Sequence, residues 1–344
     1  MTLAFKVDKP DLDVATSPAS SLQSRVHWAI ASHTEFSLDR IVTQDNRVKY
    51  TNTGKETRAT GHLDEVFQLM RQLNEAGVES DTLGRLSDDG TSFKDALCRS
   101  CAQIASEFAG KPLIYVELGP EPTKTRFILK TLRNLGVVID RYIAVDINPM
   151  SVAHMRQSLK AGFPDLPLEF VTCSFEEFRL SNVVEDGAPA AVITMLGFQE
   201  GNDDPFVVND WLRNIARPGD LLLSESQLYA SRHLGRIPYF YAHPAMRRFS
   251  RIAFEQNVDS SVPTLNRFFL LPVPFRENEM THVAVLGEEF SSTINGRNLH
   301  VSNFCLKLTH TQYRHYREHG GYFEITGETF TDDETLHFQL SRRV

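Results

Sequence analysis

Residues 114–132 read IYVELGPEPTKTRFILKTL, and this stretch decides the fold class. An apolar strand leads into Glu-Leu-Gly at 117–119, and a helix is predicted to begin near Thr123. Strand, glycine turn and helix in this order open the nucleotide-binding half of a doubly wound sheet. The loop departs from the usual pattern, because Pro-Glu-Pro stands at 120–122 where a second glycine is expected. The stretch therefore predicts a cofactor site with an altered loop.

The chain after this stretch continues the alternation of strand and helix. Apolar segments that read as strands are RYIAVDI (141–147), LEFVTCSF (168–175), AAVITMLGF (190–198) and LLLSESQ (221–227). Helices are predicted at 123–136, at 148–163 and around 205–216. Apolar strands that alternate with helices predict a parallel sheet covered on both faces. The predicted fold class is therefore α/β, with a doubly wound, mostly parallel, Rossmann-like sheet.

The chain divides into four predicted regions. Residues 1–20 are expected to form a flexible polar tail, and residues 21–110 a helical lid or substrate region. Residues 111–230 form the cofactor-binding core, and residues 231–344 a β-rich substrate-side cover that completes the same sheet. The segments that carry this last expectation are strands at 280–290, 298–310, 321–331 and 334–343 and a helix at 311–320.

The composition limits the classes of partner. The formal net charge of −8 argues against a general nucleic-acid binder, which needs a basic face. No apolar run is long enough to cross a membrane, and the N-terminus lacks the charged start and apolar core of a signal peptide. Four cysteines in 344 residues favour a reducing cytoplasm over a disulfide framework.

Cys98 and Cys101 form a CxxC pair inside a predicted helix. No second pair completes a zinc site. We interpret the two cysteines as small residues on a buried helix face, and we expect no metal.

The second predicted strand ends at Asp146. Ligands of doubly wound sheets lie at the carboxyl ends of the strands, where an acid on the second strand can hydrogen-bond ribose hydroxyls. Helix capping explains Asp146 less well, because Asn148 lies nearer to the next helix and precedes Pro149, a favoured first helical residue. Asp146 is therefore predicted to bind the ribose of a cofactor.

The altered loop narrows the choice of cofactor. Two prolines remove two N–H donors and Glu121 adds a negative charge, so the loop would receive a pyrophosphate poorly. S-adenosylmethionine has no phosphate and carries a positive sulfonium, with which an acidic loop is compatible. We expect Glu117 to accept a hydrogen bond from the methionine amino group or to brace the loop. We expect Lys124 to pair with the methionine carboxylate.

Several ordered motifs add a family resemblance. They are ELG followed by KTR at 117–126, VD at 145–146, CSF at 173–175, MLGFQEGN at 195–202 and RPGDLLL at 217–223. Together they resemble the histidine-specific, S-adenosylmethionine-dependent N-methyltransferases of ergothioneine biosynthesis, a family that also includes fungal amino-acid N-methyltransferases. The resemblance covers roughly residues 112–344 and implies a class I methyltransferase fold.

The resemblance and the strand ends together assign roles to individual residues. The cofactor contacts are Glu117, Gly119, Thr123, Lys124, Asp146, Ser174, Phe175 and Gly197. The acceptor contacts are Tyr50, Asn202, Asn303 and Cys305. The candidates to orient the reacting atom are Asn202, Tyr239 and Tyr241, and the sequence does not decide between the two tyrosines.

Several residues differ from the family pattern, and these differences affect which substrate is expected. The loop lacks the second glycine, and Ser174 replaces the acid that reads adenine. Asn303 and Cys305 stand where the histidine enzyme has a glutamate and a serine that bind the imidazole. Neither residue can make that charge-assisted contact. The resemblance therefore argues against histidine as the substrate.

Methyl transfer from a sulfonium is an in-line displacement, so such an enzyme mainly aligns nucleophile, carbon and sulfur. The expected function is methylation of a small molecule, foremost N-methylation of an amino acid or amine derivative in a specialised biosynthetic pathway. Two alternatives stay open at this point. One is O- or C-methylation, or transfer of the aminocarboxypropyl arm of the cofactor. The other is a non-catalytic scaffold with a degenerate cofactor domain.

Overall fold

The computed structural model describes residues 21–43, 59–258, 260–276, 279–292 and 296–344. Tyr50 and the predicted tail 1–20 lie outside these ranges. The roles expected for them therefore stay predictions, as do the boundaries of the four predicted regions.

In the central part of the described chain, helices and strands alternate in the predicted order. The helices are α1 Leu22–His33, α2 Ala59–Glu79, α3 Phe93–Glu107, α4 Pro122–Asn134, α5 Met150–Gly162, α6 Pro205–Ile215, α7 Arg236–Tyr241, α8 Pro244–Glu255 and α9 His310–Glu318. The strands are β1 Ile41–Thr43, β2 Pro112–Leu118, β3 Val138–Asp146, β4 Leu168–Thr172, β5 Ala191–Met195, β6 Leu221–Gln227, β7 Thr264–Arg276, β8 Glu279–Ser292, β9 Gly296–Lys307, β10 Phe323–Phe330 and β11 Leu336–Arg343. Short 3-10 turns lie at Leu38–Arg40, Leu180–Asn182, Gln199–Asn202 and His319–Gly321.

The main sheet has seven strands in the order β4-β3-β2-β5-β6-β11-β10. The strands from β4 to β6 pair in parallel, whereas β11 and β10 pair antiparallel. The order reverses between β2 and β5, which is the switch point where ligands bind in such sheets. The predicted α/β class with a doubly wound, mostly parallel sheet is confirmed.

Both faces of the main sheet are buried, as the apolar strands predict. Along β2, Leu113 and Tyr115 pack into the cluster on one face, and Ile114 and Val116 into the cluster on the other. Successive side chains of a strand point to opposite faces, so a strand buried on both sides is apolar throughout. Helix α3 covers the first face with Leu97 and Cys101, whereas Cys98 on the same helix is partly buried.

A second sheet corrects the expectation that the C-terminal strands all complete the first one. Only β10 and β11 join the main sheet. Strands β8 and β9 form a separate four-stranded sheet with β1 and β7, in the order β1-β9-β8-β7. Its faces are covered by α1 on one side and by α2, α7 and α8 on the other.

Strand β7 and helices α7 and α8 were not predicted from the sequence. β7 contains Pro272 and Pro274, which cannot donate to a strand neighbour. β7 is an edge strand and pairs only with β8 within the described part of the chain, so the prolines are tolerated there. Pro244 is likewise the first residue of α8, where the missing N–H costs nothing.

No helix within the described ranges is long and apolar enough to span a bilayer. The four cysteines are all free in the structure.

Candidate cofactor and acceptor site

A cavity of about 310 Å³ lies at the carboxyl ends of the parallel strands. Pairing of Leu118 with Val145 brings the ends of β2 and β3 together, and the amide of Gly119 donates to the Val145 carbonyl at 2.9 Å. The cavity brings together Glu117, Gly119, Lys124, Asp146, Ser174, Phe175, Gly197, Asn202, Tyr241, Asn303 and Cys305. Most residues predicted for the site therefore line one cavity, although their individual roles stay predictions.

The side chain of Glu121 occupies the N-terminus of α4. Its two carboxylate oxygens accept hydrogen bonds from the amides of Thr123 at 2.8 Å and Lys124 at 3.0 Å. These are the N–H groups that hold phosphate in nucleotide-binding sheets. Because Glu121 is buried and already supplies an anion there, the loop has no place for a pyrophosphate. The loop remains compatible with a cofactor that carries no phosphate at this position.

Gly119 lies in a backbone conformation that requires glycine. Its φ angle is +69°, and a Cβ atom would lie 2.3 Å from the side-chain nitrogen of Gln199. Gln199 belongs to the turn after β5 and also donates to the Gly119 carbonyl at 3.4 Å. The one glycine that the loop keeps is therefore the one that this φ angle demands.

Glu117 is buried at the end of β2, and two hydroxyl groups hold its carboxylate in place. Its Oε2 atom accepts hydrogen bonds from the hydroxyls of Thr125 at 2.5 Å and Tyr142 at 2.7 Å. Burial raises the pKa of Glu117 to about 7, and the nearby charge of Glu121 acts in the same direction. The carboxyl group thus titrates near neutral pH at the surface of the cavity.

Asp146 is half-buried at the end of β3. Its Oδ1 atom accepts a hydrogen bond from the amide of Asn148 at 2.9 Å, so the side chain also shapes the turn that follows. Burial raises the pKa of Asp146 to about 6, and this hydrogen bond opposes the rise. The side chain of Asn148 accepts from the amide of Met150 at 3.0 Å and so serves the start of α5. Asp146 also lines the cavity.

Lys124 lines the cavity, but its charge already has a partner. The ammonium lies 2.6 Å from Oε2 of Glu225 on β6, and both side chains are buried. The same carboxylate oxygen accepts the amide of Gly197 at 3.1 Å. Lys124 thus ties α4 to β6 and, through Glu225, to the loop after β5. The predicted contact of Lys124 with a cofactor carboxylate stays a prediction.

Tyr239 and Thr123, two of the predicted site residues, do not line the cavity. Tyr239 is 76% exposed and does not line it, because α7 turns this side chain outward while Tyr241 packs inward. Thr123 does not line the cavity either, and both its amide and its side chain bind the Glu121 carboxylate. Of these three residues only Tyr241 lines the cavity, and the roles predicted for them stay predictions.

The far side of the cavity is aromatic. We call the side chains of Phe198, Phe240, Tyr241, Phe249 and Cys305 the acceptor wall. The Phe198 and Phe240 rings meet edge to face at 5.4 Å between centroids, and the Phe240 and Tyr241 rings at 5.2 Å. Asn202 and Asn303 add amide groups to the cavity near this wall. The wall can enclose an apolar or aromatic molecule beside a few polar groups.

Phe198 reaches the acceptor wall through an unusual backbone. Its φ angle is +62°, a left-handed conformation that favours glycine and costs about 1 kcal/mol or more for other residues. Gly197 before it has φ +75°. These two left-handed residues turn the chain after β5, and Phe198 lines the cavity.

A buried amine lies directly behind the acceptor wall. The Nζ atom of Lys307 lies 3.2 Å from Sγ of Cys305 and 5.4 Å from the centroids of the Phe198 and Tyr241 rings. Lys307 is fully buried, and within the described residues it forms no ion pair with a carboxylate. Burial lowers the pKa of Lys307, while the neighbouring Cys305 opposes this. Burial and the adjacent Cys305 raise the pKa of the Tyr241 hydroxyl.

Sequence reasoning missed Lys307, Glu225, Gln199 and Phe198 as parts of the site. Lys307 lies two residues after Cys305 on β9, and such a spacing puts both side chains on one face of a strand. That spacing was a usable signal. No local signal marks Glu225, because its partner Lys124 lies 101 residues away in the chain.

Comparison with known families agrees with this geometry. Residues 95–231 match the model of the histidine-specific, S-adenosylmethionine-dependent methyltransferase family. The match confirms the predicted family resemblance, the enzyme class and S-adenosylmethionine as the cofactor. It includes Asp146 and the loop after β2, and it ends before Tyr241 and Cys305. The acceptor wall therefore lies mostly outside the matched segment. A search of curated proteins finds no match.

Solved structures that resemble this chain include other methyltransferases. An S-adenosylmethionine-dependent methyltransferase from Clostridium acetobutylicum is 8% identical, with a TM-score of 0.41, over 80% of this chain and 98% of its own. A Pyrococcus horikoshii protein is 12% identical, with a TM-score of 0.43, over the same shares. A methyltransferase from Mesorhizobium loti is 10% identical, with a TM-score of 0.38, over 72% of this chain and 98% of its own. These values are too low to assign a substrate.

Proposed function

We propose that this S-adenosylmethionine-dependent methyltransferase transfers a methyl group to the nitrogen of a small amine with an apolar or aromatic body. The observation that carries the proposal is the division of the cavity. One end has the strand termini and acids suited to the cofactor, and the other end is the acceptor wall.

The cofactor end fits S-adenosylmethionine through this chain's own residues. Asp146 faces the cavity where a ribose diol would lie, and Ser174 and Phe175 follow β4 on the adenine side. Glu117 would accept from the methionine amino group. When bound, the cofactor supplies a methyl group on a positive sulfonium. We therefore assign ribose binding to Asp146 and amino-group binding to Glu117.

The charges of the cavity favour an amine over a free amino acid. Of the described residues that line it, the acids are Glu117, Glu121, Asp146, Glu176 and Asp203. Lys124 alone carries a positive charge, and Glu225 already neutralises it. These acids give the cavity as a whole a negative charge, which favours entry of an ammonium over entry of a carboxylate. The substitution of Asn303 and Cys305 for the family's imidazole-binding residues likewise favours an acceptor other than histidine.

The acceptor nitrogen must lose its proton before it attacks. We propose that the acceptor loses this proton to solvent as it enters the cavity, so that the neutral amine lies beside Cys305. The N–H bond of the ammonium breaks, and its proton passes to water. The freed lone pair then forms the new N–C bond as the S–C bond of the sulfonium breaks. Tyr241 and Asn202 would orient the nitrogen, and the amine would supply the nucleophile.

The test compares matched amines and amino acids. The purified protein is incubated with S-adenosylmethionine and with tryptamine, tryptophan, phenethylamine or phenylalanine, and products are identified by mass spectrometry. We expect a product one methylene heavier from an amine, and little from the acid with the same ring. A preference for the amino acids would contradict the charge argument. Transfer of the aminocarboxypropyl arm would give a much heavier product, and no product from a cofactor-binding protein across a broad acceptor panel would favour the scaffold alternative.

We place this reaction in the cytoplasm, because the four free cysteines suit a reducing compartment. Its partner there is the small-molecule acceptor rather than a nucleic acid or a membrane.

A further inference from the structure

Three side chains from separate elements converge on the side of the molecule that carries α9. His310 is the first residue of α9, Glu328 lies on β10 and His337 lies on β11. The Nε2 atoms of His310 and His337 lie 2.9 Å and 3.1 Å from the same Glu328 oxygen, Oε1. The three ligating atoms all lie within 4.8 Å of one another. None of the three residues lines the cofactor cavity.

We propose that His310, Glu328 and His337 bind a divalent transition-metal ion of the zinc class. Two imidazole nitrogens and one carboxylate oxygen are a typical ligand set for Zn²⁺ and for neighbouring ions such as Co²⁺ and Ni²⁺. Three protein ligands leave a further coordination position for water. The inference concerns a site remote from the proposed reaction and does not depend on it.

The surroundings orient these ligands as the residues around metal sites do. The Nδ1 atom of His337 lies 3.2 Å from the hydroxyl of Ser226, which fixes the ring so that Nε2 faces Glu328. Gln339 donates to Oε1 of Glu328 at 3.2 Å, and Arg314 binds the other oxygen. When an ion binds the Nε2 lone pair of His337, the ring carries its proton on Nδ1. This N–H group can then donate a hydrogen bond to the Ser226 hydroxyl.

The site is open to ions from solvent on one side only. The His310 side chain is 43% exposed, whereas that of His337 is fully buried. An ion can therefore enter past His310 without opening the core. Arg314 beside Glu328 places a positive charge close by, so it opposes the ion and limits its affinity.

Bound metal would join α9 to the β10–β11 hairpin. The next turns of α9 carry Tyr313 and Arg317, which bind Glu200 at 2.9 Å and 2.7 Å. Glu200 belongs to the Gln199–Asn202 turn that borders the cofactor cavity. The role of the ion is thus to hold α9 in place, and this role should appear as added stability of the metal-bound protein.

The alternative is that the three side chains form a hydrogen-bonded cluster that binds no metal. A direct measurement of metal binding distinguishes the two possibilities. Full-length protein is freed of metal with a chelator and titrated with Zn²⁺ by calorimetry and with Co²⁺ by visible absorption. His310→Ala and Glu328→Gln each remove one ligand. His315→Ala is the matched control, because His315 is an exposed histidine on the same helix and faces Arg276 instead.

We expect one ion per chain, a Co²⁺ spectrum without thiolate bands, and a rise in melting temperature on addition of Zn²⁺. The affinity should fall at least about tenfold in His310→Ala and in Glu328→Gln and remain unchanged in His315→Ala. Absence of binding to the folded wild-type protein overturns the proposal. Equal binding by His310→Ala and the wild type also overturns it, because the ion would then sit elsewhere. Neither readout uses methyl transfer, so failure here leaves the proposed function untouched.

Discussion

The side-chain nitrogen of Lys307 lies 3.2 Å from the sulfur of Cys305, and both residues are buried behind or within the acceptor wall. An amine that pairs with no carboxylate among the described residues is costly to bury in its charged form, and burial lowers the pKa of Lys307. The neighbouring Cys305 opposes this shift. Cys305 is therefore the polar partner of Lys307 behind the acceptor wall.

Because of Glu117, the free energy of unfolding should decrease as the pH rises. Its pKa is about 7 in the folded state against 4.5 for the free side chain, so the folded state binds the extra proton between these values. Stability from this group is full below pH 4.5 and is lost as the pH rises to about 7. The expected loss is up to about 3 kcal/mol.

Glu117→Gln should remove that part of the pH dependence while keeping an acceptor for Thr125 and Tyr142. Urea unfolding of both proteins at pH 5 and pH 8 measures this pH dependence. The raised pKa of Asp146 contributes equally to both proteins, so its effect cancels in the comparison. A variant that loses as much stability as the wild type between the two pH values would show that Glu117 is not the titrating group.

Glu121→Ala should uncap α4 and open an anion site. Loss of the two hydrogen bonds to the amides of Thr123 and Lys124 should cost about 1 kcal/mol of unfolding free energy. Inorganic phosphate should then stabilise the variant but not the wild type, because the amides are free to bind it. Urea unfolding with and without phosphate measures both effects.

Glu185→Ala is the control for the change in net charge, since Glu185 is exposed and lies outside the cavity. An equal response of Glu121→Ala and Glu185→Ala to phosphate would mean that the capped helix is not the binding site.

The two tyrosines should respond differently to loss of their hydroxyls. Tyr241→Phe removes a buried hydroxyl beside Cys305 and should lower kcat about tenfold, as expected for one hydrogen bond. Tyr239→Phe changes an exposed side chain and should leave kcat unchanged. Steady-state rates with an acceptor from the amine panel decide this. Equal rates for the two variants would remove Tyr241 from the acceptor wall's chemistry.

The sequence predicted the parts of the fold that depend on local pattern. The strand-turn-helix unit around Gly119 and the position of Asp146 follow from periodicity and from the geometry of parallel sheets. The edge strand with Pro272 and Pro274 escaped prediction, because prolines usually argue against a strand. The three-residue strand Ile41–Thr43 is too short for a pattern to mark it.

The site was harder to predict where contacts join distant segments. Lys124 reads as a free cation in the sequence, and only the fold brings Glu225 to it. The choice between Tyr239 and Tyr241 depends on which side of the short helix α7 faces the second sheet, which two residues of sequence do not reveal. The convergence of His310 and His337 is likewise a product of the fold.

The most direct test of the cofactor site is calorimetric titration of the full-length protein with S-adenosylhomocysteine. We predict micromolar binding by the wild type and its loss in Asp146→Ala, with both proteins folded by circular dichroism. Absence of binding to the folded wild type, or unchanged binding by Asp146→Ala, would contradict the cofactor site described at the end of β3.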